Sequence, residues 1–202
     1  MKSKFTFAIL FSFLINFNPV LKAGGIATFI DDYINIKYQR SFDSYLFVSV
    51  KRQKIFYIKN GDVEKIFLIS TAKKGLGQEI HSEKTPEGLH QIKQMIGSNL
   101  PKDAILRERE YSGEIATIYT DETDVEDDFV TSRIMWLEGL ESGINRGGNV
   151  DSYSRYIYIH GTPEEGLIGK PASHGCVRMK NSEVIELFDL VQVNTPVLIL
   201  NY

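Results

Sequence analysis

Residues 156–179 read YIYIHGTPEEGLIGKPASHGCVRM and hold the only cysteine of the chain, Cys176. An alternating apolar run ends at His160, which predicts that this histidine stands at the end of a β-strand. Cys176 follows His174 by two residues and His160 by sixteen. It lies among glycines, which let backbone amides approach a ligand closely. A base on a rigid strand end and a thiol on a glycine-rich turn suit nucleophilic catalysis. We therefore predict a cysteine acyl-transfer site.

The two histidines compete for the role of general base. His174 is too close to Cys176 along a tight turn to aim its ring back at the thiol, whereas His160 on a separate strand can face it. We assign His160 as the base, which would take the thiol proton and later return it to a leaving amine. The Gly161 carbonyl is expected to accept the other ring N–H. The backbone amides of His174, Gly175 and Cys176 are expected to form the oxyanion hole.

Two further assignments leave alternatives open. Arg178 is predicted to bind a substrate carboxylate as a bidentate pair, and a structural salt bridge is an equally good interpretation. A zinc site built from His160, His174 and Cys176 is the rival to the thiol site. Zinc sites commonly use ligand pairs two to four residues apart, and this spacing matches poorly. We predict no metal and no cofactor.

Composition indicates one globular domain. The chain has 202 residues, of which 43% are hydrophobic, and a formal net charge of −3. The first 23 residues carry three lysines and no acids, so the remainder has 20 basic against 26 acidic side chains. A mildly acidic domain without a basic cluster argues against nucleic acid as a partner.

The N-terminus has the pattern of an export signal. A positively charged start, residues 1–4, precedes an apolar run over residues 5–15, and small residues within 23–27 offer cleavage points. We assign residues 1–23 as a signal peptide and expect release into the periplasm or another extracytoplasmic space. The alternative, a retained anchor, has too short an apolar run to cross a bilayer comfortably. A lone cysteine in an exported chain is expected to be a reactive thiol, although a buried, inert cysteine is the commoner fate.

The remaining pattern predicts a mainly β fold, a sandwich or barrel of short strands with one clear helix late in the chain. The predicted strands are residues 46–50, 54–58, 65–70, 89–96, 129–140, 155–160 and 197–200. Asn60-Gly61 predicts a hairpin turn. Asn181 is predicted to cap a helix whose apolar face includes Leu187 and Phe188. Residues 28–40 fit either a short helix or a lead-in segment.

The motif resembles that of the L,D-transpeptidase (YkuD-type) catalytic domain. That signature is a His followed, after a dozen or more residues, by Ser/Thr-His-Gly-Cys, as in His160-Gly161 and then Ser173 to Arg178 here. Residues 71–74 and 84–88 also read like family members. The resemblance covers the chain from about Tyr45 to the C-terminus.

The resemblance implies a β-sandwich over residues 44–202 with a short helix in its C-terminal half. Cys176 would be the nucleophile, His160 the general base and Gly161 the residue that orients it. The motif positions that would line the site and supply oxyanion donors are Ser173, His174 and Gly175, and Arg178 matches a position that is Arg or Asn in the family. The substrates would be peptidoglycan stem peptides. The thiolate would attack the carbonyl of the L-centre of diaminopimelate, D-alanine would leave, and an acceptor amine would resolve the thioester.

Two other functions stay open. Water could resolve the acyl-enzyme, which would make the protein an L,D-carboxypeptidase or a hydrolase of lipoprotein–peptidoglycan links. A protein with this fold could also bind the cell wall without catalysis. The expected partners are stem peptides and a wall-attached lipoprotein, with no membrane span after signal cleavage.

Overall fold

A computed structural model describes residues 25–125 and 129–202. The predicted signal peptide, residues 1–23, lies outside the described residues. The elements are α1 (Ile26–Tyr38), β1 (Ser44–Ser49), β2 (Lys54–Lys59), β3 (Asp62–Leu68), β4 (Gly88–Ile96), β5 (Ala104–Arg107), β6 (Glu110–Ile115), β7 (Val130–Gly139), β8 (Tyr158–Gly161), β9 (Val177–Met179), α2 (Asn181–Leu190) and β10 (Pro196–Leu200). The mainly β prediction is confirmed. In the described part of the chain no helix is both long and apolar enough to span a membrane.

The strands form one mixed sheet. Its order is β3-β2-β1-β10-β4-β7-β5-β6, with β8 paired to β7 and β9 paired to β8. The pairs β1–β10 and β8–β9 are parallel. Side chains from β1, β2 and β10 meet side chains from β7, β8, β9 and α2 in one core. The sheet therefore folds over into two layers, with the core between them.

The central strands bury both of their faces, so they read as nearly continuous apolar runs. On β1, Leu46 and Val48 point into the core between the layers, whereas Tyr45 and Phe47 point to the outer face. This is the two-residue alternation of a strand. The outer face needs its own cover, because large aromatic side chains on it would otherwise meet water.

Helix α1 provides that cover. The residues that it buries are Ala27, Ile30 and Ile34, and they pack against Tyr45, Phe47, Phe56, Ile58 and Leu198. The Tyr38 hydroxyl at the end of the helix donates to Glu141 Oε1 at 2.8 Å. The segment that the sequence left open between helix and lead-in is therefore a helix, and the described structure has two α-helices.

Two local predictions have different outcomes. Asn60 and Gly61 have φ of +53° and +80° and join β2 to β3, as expected of a tight hairpin. The cap predicted at Asn181 is wrong. The helix begins at Asn181 after Lys180, without a side-chain capping hydrogen bond, because the Asn181 side chain is buried in a network with β7 and the loop after β8.

Strands β5 and β6 were not predicted. Their sequences, AILR and EYSGEI, are short, and β6 is largely exposed. They form a hairpin that pairs with β7 through β5. Local pattern gave no sign of this pairing, since it depends on a partner about 25 residues further along the chain.

Candidate active site

Strands β8 and β9 bring the predicted nucleophile and base to neighbouring positions. The strands run parallel with Ile159 opposite Val177, which sets Cys176, one residue before β9, beside Tyr158. Ile159 and Val177 point into the core. By alternation, Cys176 and His160 face the other side of the strand pair. Parallel pairing thus joins a histidine and a cysteine that are sixteen residues apart in sequence.

The Cys176 sulfur lies between two backbone groups of the segment that leads into β8. The thiol donates to the Tyr156 carbonyl oxygen at 3.3 Å, and the Tyr158 N–H donates to Sγ at 3.3 Å. An N–H directed at sulfur favours the thiolate. The side chain is partly exposed, and its neighbours Tyr156 and His174 line a cavity of about 230 Å³. The sulfur is therefore held in place and open to solvent.

His160 is only 2% exposed, and its Nδ1 lies 2.7 Å from the Gly161 carbonyl oxygen. A ring nitrogen that donates to a carbonyl carries the proton, which makes Nε2 the acceptor. The Tyr158 ring packs edge-on against the imidazole, with centroids 6.4 Å apart. The tautomer with its proton on Nδ1 is the one that a general base acting through Nε2 requires.

A side chain at position 161 would clash with polar groups of β7 and α2 unless these groups shifted. A Cβ there would lie 2.5 Å from Asn181 Oδ1 and 2.7 Å from the Thr131 carbonyl oxygen. Asn181 Oδ1 accepts from the Thr131 hydroxyl at 2.6 Å, and its amide donates to the Thr162 carbonyl at 2.8 Å. This buried network packs against the backbone of Gly161, whose carbonyl oxygen contacts the His160 ring.

Ser173 shapes the turn before the nucleophile. Its hydroxyl donates to the Cys176 carbonyl oxygen at 2.6 Å and accepts from the Gly175 N–H at 3.3 Å. Gly175 has φ of +134°, which favours glycine. An oxyanion role for the Gly175 amide would require that N–H to turn away from Ser173. The oxyanion roles of the His174, Gly175 and Cys176 amides stay predictions.

Arg178 is buried in an ion pair with Glu164, and both side chains are 1% exposed. Glu164 also accepts from the Val125 N–H at 2.8 Å. This is the structural salt bridge that the sequence left as an alternative. The Arg178–Glu164 ion pair links β9 to the loop after β8. If the guanidinium moved to a substrate, the buried Glu164 carboxylate would lose this partner, which costs free energy. Direct substrate binding by Arg178 stays a prediction.

His174 is exposed at the cavity wall, near His81 and Glu83. The hydrogen bond from Lys74 lowers the pKa of the Glu83 carboxyl, and the proximity of His174 acts in the same direction. Among residues 25–125 and 129–202, no three His, Cys, Asp or Glu side chains are grouped so that they could hold a metal ion. The arrangement therefore does not favour the zinc alternative.

No local pattern singles out Arg155, yet the Arg155 side chain supports the wall of the cavity. Its guanidinium donates to the carbonyl oxygens of Gly77, Gln78 and Lys84 at 3.2, 2.7 and 2.6 Å. Burial lowers the pKa of Arg155, and the nearby Cys176 acts against that shift. Its carbonyl partners lie 71 to 78 residues away in sequence, so no local pattern could have revealed the contact.

The fold and the site define a two-layered β protein with a cysteine and a histidine on adjacent strands. A sequence model of the L,D-transpeptidase catalytic domain, YkuD, matches residues 43–199, which is most of the chain. The chain therefore belongs to the L,D-transpeptidase catalytic-domain family. The resemblance seen in the motif is confirmed.

Two proteins of Bacillus subtilis (strain 168) that are named after this family are similar to parts of the chain. YqjB is 54% identical over 45 residues, which are 22% of this chain and 26% of YqjB. YkuD is 42% identical over 60 residues, which are 27% of this chain and 37% of YkuD. The matches thus span well under half the length of either relative.

Two solved structures align with most of this chain at TM-scores below 0.5. The avibactam carbamoyl enzyme of Ldtfm has a TM-score of 0.49 and 22% identity, over 80% of this chain and 50% of that chain. An L,D-transpeptidase from Mycobacterium smegmatis has a TM-score of 0.47 and 17% identity, over 78% of this chain and 58% of that chain.

Proposed function

We propose that this protein is a peptidoglycan L,D-transpeptidase that works through a thioester on Cys176. The observation that carries the proposal is the register of β8 and β9, which sets Cys176 and His160 on one face of adjacent strands. The bond between His160 Nδ1 and the Gly161 carbonyl supports it, because it presents the ring as a base. Membership of the family supplies the substrate class.

In the first half-reaction, the Cys176 thiol gives its proton to His160 Nε2, and the thiolate attacks the carbonyl of the L-centre of diaminopimelate in a tetrapeptide stem. The carbonyl oxygen becomes an oxyanion, which the turn amides would stabilise. The C–N bond to D-alanine then breaks. The leaving amine takes the proton from His160, and a thioester stays on Cys176.

In the second half-reaction, an amine of a neighbouring stem attacks the thioester. His160 takes a proton from this amine, and the C–S bond breaks to release the thiolate. The product is an amide between two stems. The Tyr158 N–H, 3.3 Å from Sγ, stabilises the thiolate at the start of the first step and the end of the second.

The acyl-enzyme can be tested by mass spectrometry. The full chain, the Cys176→Ala variant and the His160→Gln variant are incubated with a carbapenem, an acylating mimic that the family is expected to accept. We expect one added carbapenem on the unaltered protein and none on Cys176→Ala. His160→Gln should acylate about 10²- to 10⁴-fold more slowly, as expected for loss of a general base. Adducts on all three proteins at equal rates, or on none, would contradict the mechanism.

The acceptor is tested by product analysis with tetrapeptide muropeptides. Crosslinked dimers together with free D-alanine support the transpeptidase. Tripeptide without dimers would show that water resolves the thioester, as in an L,D-carboxypeptidase. A lysine-ended lipoprotein peptide, added as acceptor, tests the lipoprotein alternative. Binding to sacculi without turnover, unchanged in Cys176→Ala, would indicate a non-catalytic wall-binding protein.

Export is part of the same proposal, because peptidoglycan lies outside the cytoplasm. The charged start and apolar run of residues 1–15 support it. Cell fractionation and N-terminal mass analysis of the protein from its natural host test the point. We expect an extracytoplasmic protein that begins within residues 23–27. A full-length chain in the cytoplasm would contradict it.

A further inference from the structure

An arginine at the tip of the β5–β6 hairpin reaches the aromatic wall beside the candidate nucleophile. Glu108 and Arg109 form the turn, with φ of +49° and +72°. The Arg109 guanidinium carbon lies 5.1 Å from the Trp136 ring centroid and 5.3 Å from that of Tyr156. The nearby Tyr158 side chain raises the pKa of Arg109. Cation–π contacts between Arg109 and these rings thus hold the tip of the hairpin in place.

The cluster of these aromatic residues lies next to the Cys176 side chain. Cys176 packs against the cluster that contains Trp136 and Tyr158. Tyr156 and Tyr158 also supply the two backbone groups that contact Sγ. The positive charge of Arg109 therefore sits on the wall that flanks Cys176, although the two residues are 67 positions apart.

Among the described residues, no ion pair neutralises the charge of Arg109, and the neighbouring Glu108 acts on it only at longer range. Arg107 on the same hairpin behaves differently. It pairs with Glu114 at 3.2 Å and packs on Phe129, where it lines a separate cavity. Aromatic rings hold a guanidinium without neutralising it, so Arg109 keeps its capacity to bind an anion.

We propose that Arg109 is a specificity-determining residue that binds a carboxylate of the acyl-donor peptide while Cys176 attacks. This inference rests on the proposed function. A guanidinium fork matches a carboxylate in a bidentate pair. The donor offers two such groups near the scissile bond, the C-terminal carboxylate of D-alanine and the second carboxylate of diaminopimelate. Either source has the same chemistry.

The test compares the unaltered protein with Arg109→Gln, Arg109→Lys and the control Arg107→Gln on three tetrapeptides. One tetrapeptide has both carboxylates, one has the diaminopimelate side-chain carboxylate amidated, and one ends in D-alaninamide. Release of D-alanine or its amide gives kcat and KM. Melting temperature and alkylation of Cys176 by neutral iodoacetamide report whether each variant keeps its fold and its thiol.

We expect Arg109→Gln to raise KM for the unmodified peptide about tenfold, the loss of one charge-assisted hydrogen bond, with kcat unchanged. The effect should disappear for the amidated peptide that lacks the bound carboxylate, which identifies the source. Arg109→Lys should fall between, and Arg107→Gln should match the unaltered protein.

An Arg109→Gln variant with unaltered KM, or with an equal loss on all three peptides, would overturn the inference and leave Arg109 as a structural contact of the hairpin. In that case the unaltered protein would still turn over its substrate. If the unaltered protein releases no D-alanine from any peptide, the proposed function itself fails, and the role of Arg109 fails with it.

Discussion

At the scale of the residue, the orientation of the His160 ring depends on the carbonyl of its own neighbour. The backbone that carries this carbonyl packs against the Asn181 side chain and against Thr131 of β7, and Asn181 in turn bonds to Thr131 and to the Thr162 carbonyl. A hydrogen bond of 2.7 Å to a fixed acceptor selects one tautomer and one ring plane. In the proposed mechanism, the Gly161 carbonyl therefore takes the orienting role that a carboxylate has in a Ser-His-Asp triad.

Gly161→Ala should therefore damage both stability and reactivity. The added Cβ would lie 2.5 Å from Asn181 Oδ1 and 2.7 Å from a backbone oxygen, so strand or network must shift. We expect a loss of about 1–3 kcal/mol in the free energy of unfolding by urea and slower acylation of Cys176 by a carbapenem. Gly25→Ala, where a Cβ meets nothing within 4 Å, is the control. A Gly161→Ala variant that matches this control would contradict the account.

His90 gives a prediction for pH. The ring is fully buried, with Nδ1 3.0 Å from the Gly88 carbonyl and Nε2 2.9 Å from the Ser152 hydroxyl. Burial lowers its pKa to about 4, against the opposing effect of the Gly88 bond. The unfolded chain takes up a proton near pH ~6.5 and the folded protein only near pH ~4, so stability falls as the pH drops through this window.

We expect the free energy of unfolding to fall by about 2–3 kcal/mol more in the unaltered protein than in His90→Gln between pH ~7 and ~4.5. Urea unfolding at the two pH values measures it. The exposed His81→Gln variant should keep the full pH dependence. Equal slopes in the unaltered protein and His90→Gln would show that His90 does not carry the effect.

At the scale of the element, two features form the candidate site. One is the parallel pairing of β8 with β9, and the other is the loop of residues 77–84, which Arg155 holds in place. The pairing of β8 with β9 places Cys176, the candidate nucleophile, beside β8. Three residues of the loop from 77 to 84 line the cavity, namely Ile80, His81 and Glu83. Arg155 holds this loop through the carbonyl oxygens of Gly77, Gln78 and Lys84. A half-buried guanidinium with three acceptors is a strong local restraint.

Arg155→Gln should loosen this loop without unfolding the core. Hydrogen exchange at Gly77 and Ile80, whose amides bond to Thr85 and Asn149, should accelerate about tenfold or more. Amides of β1 should keep their protection. The exposed Arg146→Gln variant is the control, and unchanged exchange at Gly77 and Ile80 in Arg155→Gln would contradict the clamp.

At the scale of the whole molecule, the sheet has two apolar faces and each needs a cover. The inner face is covered by the second layer and α2, and the outer face by α1. Helix α1 lies before residue 43, where the match to the family begins. The folded unit described here therefore includes a helix that the family match leaves out.

Two truncations test the contribution of α1. A chain that begins at residue 25, where the described residues start, is the reference. A chain that begins at residue 43 should lose about 4 kcal/mol or more, from exposure of the surface that three apolar side chains cover, and should bind the dye ANS. Ile30→Ala, at 0% exposure, should cost about 2–4 kcal/mol, and Ile36→Ala, at 81% exposure on the same helix, should cost almost nothing. Equal stability of both truncations would show that α1 is dispensable.

The sequence by itself determined the family, the β class, the Asn60-Gly61 hairpin and the residues of the candidate site, because each depends on neighbours along the chain. Alternation shows a strand end at His160, and Ser-His-Gly-Cys is a local signature. The sequence also predicted a helix cap at Asn181, and that prediction is wrong. In the folded protein the Asn181 side chain belongs instead to the buried network behind Gly161.

Only the tertiary structure decided the rest. The burial of Arg178 against Glu164, the clamp at Arg155, the pairing of β5 with β7 and the position of Arg109 over Trp136 each join segments far apart in sequence, or depend on which of several partners the fold brings near. The sequence does not show which partner a charged side chain has in the folded protein. Which ion pairs are buried, and which cation packs on aromatic rings instead, follows from the packing of the strands and not from local pattern.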